Sequence, residues 1–356
     1  MVNHYTVKHK MMNFSQPTLA EDSYFCFEYV NGSCPKIIYP TAIRIPLYIF
    51  FTTIIVMTLC GNFIVIVSIA HFKHLQTPTN YLILSLAVTD FLLGGCVLPP
   101  YMVRIIETCW YFGEVFCKVH MSTDLMLYIT SMLTLAFISI DRYYAVCHPL
   151  HYRNRITSYA TVIMILFSWS VSASVGFGMV FLELNILGSE NHYYENENAC
   201  VGSCVLFHAE RACSVSSILS FYIPGFIMLV MYQKIFHAAQ KQARSIHSTA
   251  CNNVHSENST SSSHNERKAT KTLAIVMGVF LSFSAPFFMC NIINPLINYS
   301  IPPMLIETLF CITYLNSTCN PIIYAFYYSW FRKAFKMIIF GKIFEAHSST
   351  AKLSTD

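Results

Sequence analysis

The chain has 356 residues, of which 54% are hydrophobic and 11% are charged, and its formal net charge is +4. Soluble domains carry about a quarter charged residues, so this composition excludes an ordinary soluble domain. The apolar residues come in long blocks, and a helix of about 20 such residues crosses a bilayer core. The sequence therefore predicts an all-α membrane protein with seven spanning helices.

The predicted elements run from a polar tail, residues 1–43, through a helical bundle, residues 44–327, to a C-terminal segment, residues 328–356. The seven predicted spans are residues 45–71, 81–104, 115–147, 157–183, 213–240, 267–293 and 303–327. Four of these spans overlap stretches of 22 to 28 residues without Asp, Glu, Lys or Arg. Charged side chains are costly at membrane depth, so such stretches are typical of spanning helices.

The connections between the spans differ in basic charge. Those after odd-numbered spans hold most of the Lys and Arg residues, whereas the connection 294–303 holds none. Because Lys and Arg concentrate in cytoplasmic loops, the N-terminal tail is predicted to be extracellular in a plasma-membrane protein. Sequons on that tail predict glycosylation at Asn13 and Asn31.

Two segments outside the spans have distinctive compositions. Residues 245–265 are rich in Ser, Asn and His and have few apolar residues to bury, which predicts a disordered cytoplasmic loop. After the last span, aromatic residues such as Trp330 and Phe331 are interleaved with basic residues such as Arg332 and Lys336. This pattern predicts a short amphipathic helix that lies on the inner leaflet and contacts anionic lipid.

Two isolated acids, Asp90 and Asp124, interrupt the apolar spans. Acids at membrane depth are rare and usually functional, so both are candidate site residues. Arg142 follows Asp124 by 18 residues, which is five helical turns and about 27 Å along one face of the third span. No Lys or Arg lies at the depth of Asp124. The sequence therefore predicts that a cationic ligand binds this carboxylate through charge-assisted hydrogen bonds.

The cysteines on the predicted outer side are candidates for disulfides, because that side is oxidising. They are Cys26, Cys34, Cys109, Cys117, Cys200, Cys204 and Cys213. Cys117 opens the third span and Cys204 lies in the loop before the fifth. A bridge between these two would pin the loop over the bundle, although either could be a free thiol.

A family resemblance rests on one motif in each span. The motifs are Gly61-Asn62, Leu86-Ala87-Val88-Thr89-Asp90, Asp141-Arg142-Tyr143, Trp169, Pro224 with Tyr232, Phe280 with Pro286, and Asn320-Pro321-Ile322-Ile323-Tyr324. One such motif is weak, but seven in order leave almost no room for coincidence. The chain resembles the rhodopsin-class G-protein-coupled receptors over almost its whole length. Residues 316–331, NSTCNPIIYAFYYSWF, further resemble the trace amine-associated receptors, most of all their founding subtype.

The resemblance implies a small amine as ligand, with Asp124 as the anchor of its ammonium group. It also implies a stimulatory heterotrimeric G protein, cyclic AMP as output, and an olfactory or neural role. No enzyme activity and no nucleic-acid partner are expected, and the only expected cofactor is an allosteric sodium ion. A conventional amine receptor of the serotonin type is the alternative. A transporter is a third hypothesis, which would require internal repeats or paired acids that the sequence lacks.

The resemblance further implies a set of ligand-binding residues. They are Ser216, Ser217, Ser220, Phe287, Phe288 and Tyr314, and Glu307, near the top of the seventh span, is the nearest candidate for a second cation contact. Tyr314 is in addition expected to bond Asp124. The serines could instead bond back to carbonyls of their own helix, and Glu307 could be a solvated rim residue.

Sodium, switch and disulfide positions follow from the same resemblance. The expected sodium site consists of Asp90, Ser131, Asn316 and Asn320, whose hard oxygen atoms suit such an ion. A water-bridged network without sodium is the alternative. The expected activation switches are Arg142, Glu266, Tyr232, Phe280 and Tyr324. Arg142 and Glu266 resemble an inner lock between two states, although Glu266 could be a solvated residue at a helix start. The expected disulfides are Cys117–Cys204 and a bridge from Cys200 to Cys26 or Cys34.

The chain departs from the family pattern inside the predicted pocket. Ser284 and Cys311 stand where tryptophan is usual, and Thr313 stands where glycine is usual. A tryptophan side chain buries up to about 250 Å². We therefore expect either a larger lower pocket or repacked neighbours, and a ligand that is bulkier or differently posed.

Overall fold

The computed structural model describes residues 24–184, 200–204, 210–250, 258–297, 300–345 and 348–350. Within these ranges the side chains of residues 210–213, 242–250 and 258–269 are not described. The described chain is helical apart from turns, short connections and isolated β-bridges. The predicted sequon at Asn13 lies outside the described residues.

Seven long helices and one short helix dominate the described chain. They are α1 (Thr41–His71), α2 (Pro78–Glu107), α3 (Glu114–Cys147), α4 (Ser158–Phe181), α5 (residues 210–250), α6 (Asn258–Leu296), α7 (Pro303–Tyr327) and the short α8 (Ser329–Ile339). A π turn interrupts α2 at Leu93–Val97 and α5 at Ile218–Tyr222. Thr77 and Thr157 cap α2 and α4, because each side-chain oxygen accepts a hydrogen bond from the first turn.

Six of these helices, α1 to α6, are long and apolar enough to cross a membrane, as far as the chain is described. α7 has 25 residues, which corresponds to about 37 Å. Buried polar residues such as Asn316, Ser317 and Asn320 lower its apolar content. α7 packs against both α1 and α6. The predicted all-α bundle of seven helices is thereby confirmed.

The polar segment 245–265 is helical at both described ends, where its composition predicts a disordered loop, and residues 251–257 lie outside the described residues. α5 continues to Ala250, and α6 begins at Asn258. Starting a helix is costly, whereas extending an existing one adds a hydrogen bond for each residue that is fixed. The two spanning helices supply the existing turns, and composition alone does not include that contribution.

Glycines set the distance between two pairs of helices. A Cβ on Gly176 of α4 would lie 2.7 Å from the backbone oxygen of Ser122 and 2.9 Å from the backbone nitrogen of Met126 in α3. A Cβ on Gly61 of α1 would lie 2.7 Å from Cβ of Pro321 in α7. Small residues let membrane helices approach closely and gain van der Waals contact. The absence of a side chain at these two glycines therefore allows the helices to pack closely.

Disulfides join the chain at one end of the bundle, which we call the disulfide end. In the described chain they are Cys26–Cys109, Cys34–Cys200 and Cys117–Cys204. Of the two candidates for Cys200, Cys34 is the one that bonds it. Cys26 bonds Cys109 instead, a pairing that sequence spacing does not reveal because it joins segments 83 residues apart.

Polar contacts hold the segment before α1 against α1 and α2. Glu107 accepts a hydrogen bond from the Tyr48 hydroxyl at 2.7 Å and lies 3.2 Å from Lys36 Nζ and 3.4 Å from the guanidinium of Arg44. Lys36 also donates to the Tyr111 hydroxyl at 3.0 Å, and this bond raises the pKa of the lysine. Together with the disulfides, these contacts fix the segment as a cover on the disulfide end.

Breaking the Cys26–Cys109 bridge should destabilise the folded protein. Cys26→Ser, Cys109→Ser and the double variant should each lose about 2–4 kcal/mol, because each removes the same covalent constraint. The melting temperature of the purified protein in detergent measures this loss. Cys60→Ser, which changes a free and exposed cysteine, is the control. Additive losses in the double variant would contradict the pairing.

α8 lies at the opposite end of the bundle. Its residue Ala334 packs with Phe72 and Leu75 from the connection between α1 and α2, and Phe331 joins the main core. Phe340, which follows the helix, is exposed. The predicted amphipathic helix after the last span is confirmed.

Candidate functional site

A cavity of about 280 Å³ lies among α2, α3, α5, α6 and α7. Asp124 lines it and lies two helical turns beyond Cys117 on α3, so the cavity belongs to the half of the bundle nearer the disulfide end. Half of the lining residues are apolar or aromatic, and the other half carry polar groups that converge on the space. This combination is typical of a pocket for a small ligand.

The Asp124 carboxylate is the acidic group deepest in this cavity. The residue is 7% exposed, and its Oδ2 accepts a hydrogen bond of 2.9 Å from the Tyr314 hydroxyl. Within the described part of the chain, no Lys, Arg or His side chain lies within 4.0 Å of its oxygens. A buried carboxylate is costly unless it is paired and hydrogen-bonded. The geometry therefore suits a cation that enters the cavity and completes the pairing.

Aromatic rings form the walls around this carboxylate. Tyr314 packs edge-on against Phe310 with 5.0 Å between ring centroids, and Phe310 lies 5.0 Å from Phe287. Phe288 in turn lies 5.3 Å from Phe287 and 5.2 Å from Tyr128. Ring faces attract cations and pack against flat apolar groups. The walls therefore favour a cation that is attached to an apolar or aromatic body.

The three serines of α5 divide into two groups. Ser216 and Ser217 line the cavity, whereas Ser220 donates a hydrogen bond of 2.6 Å to the Ser216 carbonyl and is absent from the lining. Ser220 lies within the π turn Ile218–Tyr222, which begins directly after Ser217. A π turn has more residues per turn than an α-helix, so the four-residue spacing no longer puts Ser216 and Ser220 on one face.

An ion pair closes the outer rim of the cavity. Nη2 of Arg104 donates to both carboxylate oxygens of Glu307, at 2.9 and 2.8 Å, and Nη1 donates to the Cys204 carbonyl at 2.8 Å. The Tyr101 hydroxyl adds a bond of 3.2 Å to Glu307. Glu307 is therefore paired with Arg104, while its side chain stays 40% exposed at the rim. The sequence does not reveal that Arg104 pairs with Glu307, because the two residues lie 203 positions apart.

Ser284 and Cys311, which stand where tryptophan is usual in the family, contact neighbouring polar groups. Ser284 is fully buried and accepts a hydrogen bond of 3.1 Å from Nδ2 of Asn316. The Cys311 Sγ lies 3.2 Å from the Tyr101 hydroxyl. Neither Ser284 nor Cys311 lines the described cavity. Both residues therefore have polar partners, and the larger pocket, the repacked neighbours and the bulkier ligand stay predictions.

A second polar cluster surrounds Asp90, deeper in the bundle. Ser317 Oγ and Asn320 Nδ2 each donate to one oxygen of this buried carboxylate, both at 2.7 Å. Asn316, expected to contact Asp90, turns its amide nitrogen toward Ser284 in α6. Ser317 and Asn320 are three residues apart and share the face of α7 that meets Asp90. The spacing from Ser317 to Asn320 was the signal in the sequence.

Arg142 is held by its own neighbourhood at the opposite end of the bundle. Its Nε donates to Asp141 Oδ2 at 2.8 Å, and its Nη2 contacts the Thr79 hydroxyl. Asp141 also accepts a hydrogen bond of 3.0 Å from Tyr152. The side chain of Glu266 is outside the described residues, so the predicted Arg142–Glu266 lock stays a prediction.

The other predicted switch residues are buried between this arginine and the cavity. Phe280 and Tyr324 belong to the main core, and Tyr232 packs against it. The hydroxyls of Tyr232 and Tyr324 are buried without a hydrogen-bond partner among the described groups. Unpaired buried hydroxyls carry a desolvation cost that a rearrangement can relieve. These positions suit residues that change partners.

Comparisons with known proteins agree with this architecture. The pattern of the family described as 7 transmembrane receptor (rhodopsin family) matches residues 61–324. Trace amine-associated receptor 1 of Macaca mulatta is 52% identical over 332 residues, which cover 92% of this chain and 98% of that protein. The Homo sapiens protein of the same name is 51% identical, over 92% and 97%. Trace amine-associated receptor 4 of Mus musculus is 46% identical, over 96% and 99%.

Proposed function

The chain belongs to the rhodopsin family of 7 transmembrane receptors and to its trace amine-associated branch, and from this premise we propose that Asp124 binds the ammonium group of a small amine. The protein is a signalling receptor for amines that acts through a G protein and is not an enzyme. One observation carries the proposal. The Asp124 carboxylate lies buried in the cavity with a hydroxyl partner and with no basic partner among the described side chains.

The bound amine has an apolar or aromatic body that fills the space between the ring walls. Tyr314 orients the carboxylate toward the ammonium group, since its hydroxyl donates a hydrogen bond to one of the two carboxylate oxygens. Phe287 and Phe288 pack against the body of the ligand, and Ser216 and Ser217 offer hydroxyls to a polar group at its far end. Desolvation of the site strengthens the charge-assisted hydrogen bond.

The disulfide end faces the outside of the cell, and the protein lies in the plasma membrane. Two features support this orientation. Disulfides persist in oxidising compartments, and Asn31, a predicted glycosylation site, is exposed at the disulfide end. The opposite end holds α8, whose basic residues Lys333 and Lys336 suit anionic lipid on the cytoplasmic side.

The receptor couples to a stimulatory G protein and raises cyclic AMP. Arg142 must leave Asp141 and Thr79 to reach a cytoplasmic partner. Amine binding at Asp124 shifts the population toward the state in which this arginine is free, because only a difference in affinity between two states can move such an equilibrium. The buried Tyr232 and Tyr324 gain partners in that state.

Cyclic AMP measured in cells that express the full chain tests this function. The panel contains aromatic and alkyl monoamines, α,ω-diamines and serotonin. We expect a rise with aromatic monoamines that cells without the receptor do not show. A decrease of forskolin-stimulated cyclic AMP would contradict the stimulatory coupling. Selectivity for serotonin would favour a conventional neurotransmitter receptor. If the receptor is detected at the surface and no amine changes cyclic AMP, amine sensing is rejected.

A sodium ion bound near Asp90 is the proposed allosteric cofactor. The donor set suits this ion, because the carboxylate, the Ser131 and Ser317 hydroxyls and the buried, unpartnered Asn316 Oδ1 are all hard oxygen atoms. Ser131, Asn316 and Ser317 also line the inner part of the cavity, which provides a path for the ion. The oxygen atoms of these residues therefore fit the sodium ion that the family implies.

Asp90→Asn should abolish the sodium dependence of agonist affinity. In the parent receptor, sodium in place of choline should weaken agonist binding several-fold, because the ion binds one of two states preferentially. The variant has no carboxylate to bind the ion, so its affinity should be the same in both salts. Competition binding on membranes measures the effect. Sodium dependence that survives in the variant would support the water-bridged alternative.

A further inference from the structure

The ion pair at the rim has a consequence for the class of amine that the cavity accepts. Both oxygens of Glu307 accept hydrogen bonds from Arg104, and one of them also accepts from Tyr101. The guanidinium itself is held over the Tyr101 ring at 5.2 Å and bonded to the Cys204 carbonyl. The Arg104 side chain is 12% exposed and the Glu307 side chain 40%. The pair is therefore built into the rim and is not a free surface contact.

We propose that Arg104 makes this receptor selective for monoamines by occupying the carboxylate that would bind the second ammonium group of a diamine. This inference rests on the proposed function of Asp124 as the first ammonium anchor. Glu307 lies seven residues before Tyr314 on α7, and Tyr314 bonds Asp124. Seven residues of helix rise on the order of 10 Å. The two carboxylates would thus suit the two ends of an extended diamine, if Glu307 were unpaired.

Arg104 competes with a second ammonium group in two ways. It is attached to the receptor, so its effective concentration at Glu307 is higher than that of any free ligand. Its Nη2 donates to both carboxylate oxygens while Nη1 is bonded to the Cys204 carbonyl, so the guanidinium is already held in position at Glu307, as a free ammonium group is not. The positive guanidinium also repels a second positive charge that reaches the rim. A monoamine meets none of these obstacles, because its far end is uncharged.

A purely structural role for the pair makes a different prediction. Arg104 also bonds Cys204, which is bridged to Cys117, so its loss could loosen the cover of the cavity. Loosening would change the potency of all amines by a similar factor. Selectivity, in contrast, is a difference between two affinities. The ratio of diamine to monoamine potency therefore separates the two roles.

Arg104→Gln in the full-length receptor tests the proposal. Linear α,ω-diamines of increasing length and the 1-alkylamines of matching length serve as probes, with cyclic AMP as readout and surface level as normalisation. The ratio of diamine to monoamine potency should rise roughly tenfold or more, as for a newly available ion pair that is partly buried. The gain should be largest for diamines whose nitrogens are about 10 Å apart. An unchanged ratio would overturn the proposal.

Two further variants make the result specific. Arg44→Gln is the matched control, because Arg44 pairs with Glu107 at the same end of the bundle but does not line the cavity. It should leave the ratio unchanged. Arg104→Gln combined with Glu307→Gln should lose the gained diamine response, and retention of that response would overturn the role of Glu307. If Arg104→Gln reaches the surface poorly, Glu307→Gln alone gives a second test. It frees the guanidinium and should favour amines that carry a distal carboxylate.

The outcome separates this inference from the proposed function. Asp124→Asn removes the first anchor and should lower the potency of both classes of amine by about 100-fold or more. If monoamine potency is unchanged in Asp124→Asn, the proposed function fails whatever Arg104→Gln does. If monoamine potency falls there and the ratio is unchanged in Arg104→Gln, only the inference about Arg104 fails.

Discussion

Asp124→Asn should reduce amine potency by a factor of about 100 or more while the receptor still reaches the cell surface. The change keeps the size of the side chain and an oxygen that can accept from Tyr314, but it removes the charge. Removing one partner of a buried, hydrogen-bonded charge pair costs about 2–5 kcal/mol, which is roughly 30-fold to several-thousand-fold in affinity. Concentration–response curves for cyclic AMP, normalised to surface level, measure the loss.

Glu114→Gln is the matched control for this variant. Glu114 is an acid on the same helix, but it opens α3 at the disulfide end and its side chain is 85% exposed. Its loss should leave amine potency within about twofold, because exposed ion pairs contribute little. Tyr314→Phe should have an intermediate effect, because it removes one hydrogen bond from the carboxylate and keeps the ring. An Asp124→Asn receptor with unchanged potency would move the anchor elsewhere.

Gly176→Val should prevent most of the protein from folding into a receptor that binds ligand. The first side-chain atom would come within 3 Å of the backbone of α3, at the carbonyl of Ser122 and the amide of Met126. Backbone atoms in a packed helix cannot move aside as a flexible side chain can. Overpacking of a well-packed core costs about 1–3 kcal/mol or more. The fraction of receptor at the surface and the melting temperature in detergent should both decrease.

Gly178→Val controls for the helix propensity and the lipid environment of the same substitution. Gly178 lies two residues further along α4, and a Cβ there would meet nothing within 4 Å. This variant should fold and signal almost like the parent. Equal losses in the two variants would show that the contact between α3 and α4 is not the cause.

Part of the site was predictable because its signals are local in the sequence. The long apolar blocks, four of which overlap stretches without charged residues, predict seven crossings, since charged groups are costly in lipid. Asp124 stands out in such a block because no basic residue lies near its depth. The expected bond from Tyr314 is present at 2.9 Å, because both side chains are at the depth that the helix register gives them.

Other features depend on contacts between distant segments or on the exact rotation of a helix. Composition predicts disorder for residues 245–265, but α5 and α6 extend into that segment from the bundle. Because of the rotation of α7, Ser317 and not Asn316 donates a hydrogen bond to Asp90. Ser220 lies within a π turn and is absent from the cavity lining that includes Ser216 and Ser217. One residue changes direction by about 100° around a helix, so small shifts in register reassign partners.

The sequence by itself determined the number of crossings, the lone acid of the third helix and the family. Each follows from the cost of placing charge in lipid or from motifs that are contiguous in the chain. Only the tertiary structure decided that Arg104 binds Glu307 and that Gly176 packs against the α3 backbone. It also decided the disulfide pairs Cys34–Cys200 and Cys26–Cys109. Those pairings join residues that are far apart in the chain, and three-dimensional packing alone brings them within reach.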